Sequence, residues 1–291
     1  MRGAMVSNPN EAAFTEAFAQ RISKADDGSL PLVLRTVVTH LHGLIRELRP
    51  SAADWRKMIE FLTEVGHTTD ERRQEWGLLF DLLGASALVD EINSRRPKQA
   101  TPNTVRGPFF RADTPKRISG SNISLDGVGE RLAVFGQLLD LDGHPIEGAE
   151  VTTWQANAAG FYENQQPDLQ PEFNLRGVFK TDREGRFDYL TVRPAGYSVP
   201  EDGPVGKLLG QAGCSLRRPA HLHFIVTAPG FQTITTHIYD GSDPHIDEDA
   251  IFGVKPELVH EFKCSDIGGK PGGWRLDFKF LMARAREGSG S

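Results

Sequence analysis

The sequence predicts an α+β protein, in which a helical N-terminal domain precedes a mainly antiparallel β-sandwich. Only six of the 30 glycines lie before residue 100, and all four tyrosines lie after it. Because glycine punctuates strands and turns, the second half is expected to be rich in β-structure and the first half helical. We therefore divide the chain into a helical domain, residues 1–100, and a β-sandwich domain, residues 101–291.

The helices are predicted from the spacing of apolar residues. Such residues recur at helical intervals over 14–22 and over 34–48, which indicates two amphipathic helices. Ser51 followed by Asp54 resembles a capping box and predicts the start of a third helix. The segment EWGLLFDLLG predicts a fourth, with residues 85–92 as its continuation.

The strands are predicted from the spacing of apolar residues, which changes from a helical to an alternating period after the linker RRPKQAT. LAVFGQLLD and EVTTWQAN are separated by a turn, and GVFKT and RFDYLTV flank DREG, which is a hairpin signal. HLHFIVTA and FQTITTHIYD flank Pro-Gly, and WRLDFKFLMA alternates late in the chain. Several short strands with turn signals between them favour a sandwich over a parallel sheet.

Composition excludes several classes of protein. The net charge of −6 argues against nucleic acid as the main partner, because phosphate binding needs a basic surface. The sequence contains no apolar run of about eighteen residues, so no membrane span is expected, and its first residues lack the apolar region of a secretory signal. The two cysteines, Cys214 and Cys264, fit a reducing cytoplasm, which is the predicted location.

The candidate chemistry centres on His-Leu-His at 221–223. Because side chains alternate along a strand, both imidazoles point to one face and form a ready-made metal chelate. Alone, the motif is equally compatible with two packed histidines. Arg218 adds a fixed cation, and Tyr162 and Tyr197 follow glycine-containing turns at strand ends, where side chains can reach a site. Each tyrosine is also compatible with ordinary packing.

Three segments resemble a known family in order and spacing: VFGQLLDLDGHPIEGAEVTTWQANAAGFYE, PAGYSVPEDGPVG and RRPAHLHF. They resemble the intradiol catechol dioxygenases, non-haem Fe(III) enzymes that split the bond between two adjacent hydroxyl-bearing ring carbons. The resemblance covers roughly residues 15–282. It implies that the first half is a dimerisation domain, that the sandwich is catalytic, and that each subunit holds one Fe(III). The implied ligands are Tyr162, Tyr197, His221 and His223.

The chemistry of this ligand set agrees with ferric iron. Two phenolates are hard anionic donors that stabilise a +3 ion, whereas the facial triad of Fe(II) oxygenases needs a carboxylate, and none accompanies this His-x-His. The resemblance further implies that Tyr197 leaves the metal when the diol binds and takes up a proton. It implies that Arg218 stabilises negative charge that develops on the ring. His237 is interpreted as a polar group supporting the ligands or, equally, as a satisfied sheet histidine.

The substrate is narrowed by three further segments, GPFF, GPVGKLL and THIYDGSDPHIDEDAIFGVK, which resemble the branch that cleaves hydroxyquinol (1,2,4-trihydroxybenzene). The implied product is 3-hydroxy-cis,cis-muconate, the enol of maleylacetate. Cleavage of catechol or substituted catechols to cis,cis-muconates is the alternative within the family. A zinc or Fe(II) enzyme that uses only His-x-His and a non-catalytic transthyretin-like sandwich are alternatives outside it. The substrate-pocket walls carried over are Leu78, Asp81, Val105, Arg106, Gly107, Pro108, Phe109, Val199, Pro200 and Ile251.

Two pocket residues have open roles. The Asp81 carboxylate would accept a hydrogen bond from an extra ring hydroxyl, or it is an ordinary surface aspartate. Arg106 departs from the branch, where an apolar residue is common; it would recognise an anionic ring substituent or point to solvent. We read Arg217 as solvent-facing and the acid-rich stretch 243–249 as a solvated loop.

The resemblance also implies partners. These are an aromatic diol or triol with O2, a second copy of the chain bound through the N-terminal helices, and a phospholipid at the dimer interface, as in relatives. Apart from His221, His223 and His237, the histidines of the sequence are interpreted as non-catalytic.

Overall fold

The structure is a computed structural model that describes residues 10–22, 29–70 and 73–285. The chain divides into two compact units, Met1–Glu64 and Val65–Ser291. We call the first the helical unit and the second the sheet unit. Among the described residues, no helix is long and apolar enough to span a membrane.

The helical unit contains three helices, as the apolar spacing predicted: α1 (Asn10–Ile22), α2 (Ser29–Leu48) and the start of α3 (Ala52–Thr68). The capping box is confirmed, because the Asp54 amide donates to Ser51 Oγ at 3.2 Å and the Ser51 amide donates to Asp54 Oδ2 at 3.3 Å. Over the described residues of this unit, no side chain is buried.

The sheet unit adds α4 (Glu75–Leu82), α5 (Ala85–Asn93) and α6 (Pro204–Gln211). Residues 85–92 do not continue the fourth helix as predicted. Gly84 has φ 71°, a left-handed conformation that ends α4 and lets α5 start in a new direction.

Two sheets form the rest of the sheet unit, in strand orders β10-β11-β1-β4 and β3-β2-β7-β8-β9, with a short ribbon β5-β6. The pairings are antiparallel except β1–β11 and β8–β9, so the predicted mainly antiparallel sandwich is confirmed. The strands are β1 (Arg131–Asp140), β2 (Glu150–Gln155), β3 (Arg176–Lys180), β4 (Arg186–Val192), β5 (Tyr197–Ser198), β6 (Arg217–Arg218), β7 (His221–Thr227), β8 (Ile234–Asp240), β9 (Val259–His260), β10 (Lys263–Ile267) and β11 (Lys270–Met282).

One predicted hairpin is wrong. The DREG turn forms, with the Gly185 amide donating to the Asp182 carbonyl at 3.0 Å, but β3 pairs with β2 and β4 pairs with β1. The turn chemistry is local, whereas Phe179 and Phe187 enter the shared core from opposite sheets. The hairpin of β7 and β8 is confirmed.

Strand β7 separates the core from the candidate site. Leu222, Phe224 and Val226 belong to the core that the two sheets share. By alternation, His221 and His223 project to the opposite face of the five-stranded sheet. The site therefore lies outside the sandwich core, on a rigid central strand.

Candidate active site

The two strands beside β7 fix the orientation of His223. The pairing register puts His223 between Trp154 of β2 and His237 of β8. The Trp154 ring stacks on the His223 imidazole, with centroids 4.6 Å apart and planes 14° from parallel. This packing restricts the ring of His223 before any ligand binds.

Tyr162 reaches the histidines from a loop, and Tyr197 reaches them from the short strand β5. The Tyr162 hydroxyl lies 2.7 Å from His223 Nε2 and 3.3 Å from the Tyr197 hydroxyl. Gly160, at φ 85°, permits this approach, since a Cβ there would lie 2.9 Å from Tyr197 Cβ. The predicted pair of tyrosines therefore shares one site with the histidines.

Four potential donor atoms converge at this point. His221 Nε2 lies 3.1 Å from His223 Nε2, which completes a chain of short contacts through the two hydroxyls. His221 Nδ1 lies 2.6 Å from the Pro219 carbonyl, so its N–H donates there and its Nε2 carries a lone pair. Burial, followed by the charge of Arg218, lowers the pKa of His221 to about 3.

These groups fit a metal ion. The neutral imidazoles offer lone pairs, and burial lowers the pKa of His223 as well. Burial and the neighbouring Tyr197 raise the pKa of Tyr162, so its phenolate needs a nearby cation to form. A set of two imidazoles and two phenols in a buried pocket is chemically suited to a cation that displaces the phenol protons.

The third histidine, His237, also belongs to this cluster. Its Nδ1 lies 2.6 Å from Thr104 Oγ1 and 3.3 Å from the Tyr239 hydroxyl. Among the described residues its buried Nε2 has no hydrogen-bond partner. His221, His223 and His237 each place a ring nitrogen within 4.8 Å of the others, so three imidazoles form a second conceivable metal set.

Arg218 lies against the donor atoms, as the sequence suggested. The ribbon of β5 and β6 pairs Tyr197 with Arg218, and Arg217 is exposed by alternation, as predicted. Arg218 Nη1 lies 3.3 Å from the Tyr197 hydroxyl and 3.1 Å from His221 Nε2. A buried cation therefore stands beside the site, with the Tyr197 ring 5.9 Å from its centre.

Sequence reasoning missed two partners of Arg218. Asp249 lies in the stretch expected to be a solvated loop, yet its side chain is only 2% exposed and accepts from Arg218 Nε at 3.1 Å. Burial opposes ionisation of Asp249, but the Arg218 charge and hydrogen bond outweigh it and lower the pKa of this carboxyl. Tyr239, also buried, accepts from Arg218 Nη2 at 3.3 Å. The expectation for 243–249 holds at the exposed Asp247 and Glu248 and fails at Asp249, because a buried guanidinium requires an anion.

A loop after the N-terminal helices covers the site. Gly107, at φ 76°, lies over His223, since a Cβ there would lie 3.2 Å from the imidazole Cε1. Phe109 stacks on the Tyr162 ring with centroids 4.2 Å apart, and Arg176 Nη1 donates to the Phe109 carbonyl at 2.7 Å. The structure thus brings two of the predicted pocket walls, Gly107 and Phe109, against the ligand residues.

The buried ion pair of Arg176 and Glu163 supports this loop. Arg176 Nε lies 2.6 Å from Glu163 Oε1, and both side chains are almost fully buried. Glu163 directly follows Tyr162, so the pair joins the tyrosine segment to the loop through Arg176. Neither residue was predicted from the sequence.

The other predicted pocket residues differ in their surroundings. Asp81 is half-buried; burial raises the pKa of its carboxyl, against a Ser86 hydrogen bond and the charge of Arg218. The Arg106 guanidinium is exposed and lies 5.1 Å from the Phe110 ring centroid. Among the rest, Val199 and Ile251 are buried, Leu78 and Val105 are half-buried, and Pro108 and Pro200 are exposed.

Family models and relatives match most of the chain. Residues 105–282 match the family model "Dioxygenase", and residues 30–101 match "Catechol dioxygenase N terminus". The chain is 46% identical to hydroxyquinol 1,2-dioxygenase of a Rhizobium species, over 94% of this chain and 96% of that protein. It is 33% identical to catechol 1,2-dioxygenase of Candida albicans, over 93% and 92%. The crystal structure of hydroxyquinol 1,2-dioxygenase from Pseudomonas putida superimposes with TM-score 0.89 at 37% identity, over 94% of this chain and 99% of that one.

Proposed function

The chain belongs to the intradiol ring-cleavage dioxygenases, and from this premise we propose that it opens hydroxyquinol with O2 to 3-hydroxy-cis,cis-muconate, the enol of maleylacetate. One observation carries the proposal: two tyrosine hydroxyls and two imidazole nitrogens converge within 3.3 Å of their neighbours beside a buried arginine. The Rhizobium relative, at 46% identity, is itself named for hydroxyquinol, which supports this substrate.

We assign the metal as one non-haem Fe(III) per subunit, held by Tyr162, Tyr197, His221 and His223. When bound, the ferric ion supplies Lewis acidity and an acceptor for electron density from the aromatic ring. The phenolates favour the ferric state, because hard anionic oxygens stabilise a +3 charge. A set of three imidazoles would instead leave both tyrosines without a role.

The residues around the ligands orient the substrate and manage protons and charge. Tyr197 is the half-buried tyrosine of the pair, so its phenolate oxygen is the base that accepts a proton from a substrate hydroxyl. Tyr162 and the two histidines remain fixed by burial. Arg218 stabilises negative charge that develops on the ring. His237, anchored by Thr104, holds a polar Nε2 beside the ligand histidines.

The ring substituents are read by the pocket walls. Asp81, whose pKa is raised by burial, would bind the third hydroxyl of hydroxyquinol from a site within the influence of Arg218. Leu78, Val105, Pro108, Val199, Pro200 and Ile251 are assigned as apolar walls with Gly107 and Phe109. Catechol 1,2-dioxygenase activity is the second candidate, since the Candida albicans relative carries that name. A methyl-sized difference at an apolar wall is worth only ~1–3 kcal/mol, whereas a buried group that binds a substrate hydroxyl discriminates more strongly against a ring that lacks it.

Arg106 is assigned to anionic ring substituents. It is exposed on the loop that covers His223 and lies over Phe110. Arg106→Leu should lower kcat/KM for a diol carrying a carboxylate and leave neutral diols unchanged, because only the former loses a charge-assisted contact. An equal loss on both would refute this role.

The helical unit is assigned to homodimer formation, with a phospholipid bound there. Its exposed apolar side chains, such as Phe14 at 71%, give a surface for a second copy. An open groove of about 530 Å³ lies within this unit, lined by Phe14 and Ile45 together with Arg46, Arg49 and Glu11, whose carboxylate pairs with Arg49 at 2.6 Å. Apolar walls beside guanidinium groups suit an acyl chain and a phosphate headgroup. Mass spectrometry of the native protein and its organic extract tests both assignments.

The location is proposed as the cytoplasm, since both cysteines are free and exposed.

The function is tested by the visible spectrum of the purified, iron-loaded protein, recorded before and after addition of hydroxyquinol without oxygen. Phenolate-to-Fe(III) charge transfer predicts a wine-red protein whose band moves on binding. A shift with hydroxyquinol and little with catechol supports metal and substrate together; a shift with catechol alone keeps the reaction and overturns the substrate. A protein that stays colourless after iron loading in air refutes the iron–tyrosinate assignment.

A further inference from the structure

We propose that Asp249 and Tyr239 are positioning residues that hold the Arg218 guanidinium against the ligand atoms, an inference that rests on the proposed function. Neither residue was predicted from the sequence. They occupy two of the three guanidinium nitrogens and leave Nη1 as the nitrogen that contacts the site.

Two of the guanidinium nitrogens of Arg218 contact Asp249 and Tyr239, and the third contacts the ligand residues. Arg218 Nε donates to Asp249 Oδ1 at 3.1 Å, and Nη2 donates to the Tyr239 hydroxyl at 3.3 Å. Nη1 lies 3.3 Å from the Tyr197 hydroxyl and 3.1 Å from His221 Nε2. Because a guanidinium is planar and rigid, fixing Nε and Nη2 also fixes the direction of Nη1.

Asp249 and Tyr239 are themselves held in place by further contacts. Asp249 Oδ2 accepts from the Tyr239 hydroxyl at 3.2 Å and from the Gly253 amide at 3.0 Å. A Cβ at Gly253 would collide with the Tyr239 hydroxyl and lie 2.8 Å from Asp249 Oδ2, so the loop packs on the pair with no room for a side chain. The carboxylate and hydroxyl therefore have one defined arrangement.

The charge of Asp249 is equally required. Arg218 is only 3% exposed, and a cation at that depth needs a paired anion. Asp249 supplies it, with a side chain 2% exposed. The pair keeps a full positive charge next to the reacting ring without leaving that charge unpaired in the free enzyme.

The effect on catalysis should be selective. Among the described residues, neither Asp249 nor Tyr239 is hydrogen-bonded to the four assigned ligands, so iron binding should persist without them. Loss of orientation at Arg218 should weaken interactions made in the transition state more than those made with bound diol. The expected signature is a fall in kcat that exceeds the change in diol affinity.

The experiment compares Tyr239→Phe with Tyr189→Phe in the iron-loaded enzyme. Tyr189 is a matched control, because it is a buried tyrosine of the same core whose hydroxyl lies 3.2 Å from Thr153. Tyr239→Phe should lower kcat for hydroxyquinol by about 10- to 100-fold. Its iron content, resting visible band and affinity for 4-nitrocatechol under nitrogen should stay close to those of the control.

Asp249→Asn, which keeps the shape and removes the charge, should lower kcat further. A Tyr239→Phe enzyme whose kcat equals that of the control, or falls only in proportion to lost iron, overturns the inference. If the wild-type protein cleaves hydroxyquinol and yet that result is found, the inference alone fails. If the iron-loaded wild type cleaves no diol, the proposed function fails, and the positioning role falls with it.

Discussion

The helical unit and the sheet unit bury their apolar residues in opposite ways. In the sheet unit, side chains such as Leu132, Phe224 and Leu276 are fully buried between the sheets. Over the described residues of the helical unit none is buried, and Leu44 and Leu48 of α2 are 47% and 66% exposed. Apolar residues are regularly spaced in both units. Regular spacing therefore predicts a helix or a strand, but it does not predict which part of the molecule buries the apolar face.

This difference indicates where each unit obtains its stability. Burial of apolar surface is the dominant favourable term in folding, and the sheet unit has it within one chain. The helical unit has its hydrogen bonds and its cap, but none of its described side chains is buried. The predictions below test that contrast and are ordered by the size of the expected effect.

The largest effect is expected at the site on the sheet unit. His223→Ala should remove the iron colour and lower kcat/KM by more than ~100-fold, since loss of a ligand exceeds the cost of a change in its support. Iron analysis and steady-state oxygen uptake measure this. His144→Ala, which alters a histidine whose side chain is 76% exposed, is the control and should leave both values unchanged. Retained colour in His223→Ala would contradict the assigned ligand set.

A core truncation should distinguish the two units directly. Leu276→Ala should lower the free energy of unfolding by about 2–5 kcal/mol, because it leaves a cavity between the sheets. Leu44→Ala, at an exposed position, should cost about 0.5 kcal/mol or less in dilute protein. Denaturant unfolding measures both. Similar losses for the two variants at low protein concentration would show that the helical unit has its own core.

A charged residue on the exposed apolar face of α2 should test whether the helical unit forms the dimer interface. Leu44→Asp should convert the proposed dimer into single chains of 32.1 kDa, because association through α2 would have to bury an unpaired carboxylate. Light scattering measures the mass. Leu169→Asp, at a leucine that is 76% exposed in the sheet unit, should keep the dimer. Unchanged mass in Leu44→Asp would remove α2 from the interface.

The helix cap should give the smallest effect. Ser51→Ala removes the Oγ that accepts from the Asp54 amide and should cost ~1 kcal/mol. Thermal unfolding followed by circular dichroism measures it, and Ser51→Asn, another good cap, should restore most of the loss. Equal stability of Ser51→Ala and wild type would show that α3 is held by packing alone.

The same cap predicts a pH dependence. The Ser51 side-chain and backbone hydrogen bonds lower the pKa of Asp54. A lowered pKa means that the cap stabilises the fold above the unfolded-state pKa of Asp54, and that this contribution is lost as the pH falls through the folded value. The difference between wild type and Ser51→Ala should therefore narrow in acid, which an acid titration of stability measures.

The sequence predicted what depends on local pattern. The α1–α3 helices, the cap at Ser51 and the β7–β8 hairpin follow from spacing and turn residues. The placement of β3 and β4 in different sheets does not follow from spacing or turn residues, because it depends on how Phe179 and Phe187 pack in the shared core.

The same distinction holds at the site. Alternation on β7 put both histidines on one face, and the family resemblance supplied Tyr162 and Tyr197. Asp249 and Tyr239 were missed because they become partners of Arg218 only when separate loops and strands meet. No short-range pattern encodes that meeting.

The parallel pairing of β1 with β11 has a consequence for biosynthesis. Leu132 pairs with Trp274, so β1, a central strand of one sheet, gains this neighbour only when β11, the last strand of the unit, has been synthesised. The site residues from 162 to 249 lie between these two strands in the chain. A nascent chain on the ribosome cannot complete the sandwich until β11 has emerged from the exit tunnel. Long-range contacts of this kind fold slowly, so the incomplete sheet edge is exposed during translation and is where chaperones would act.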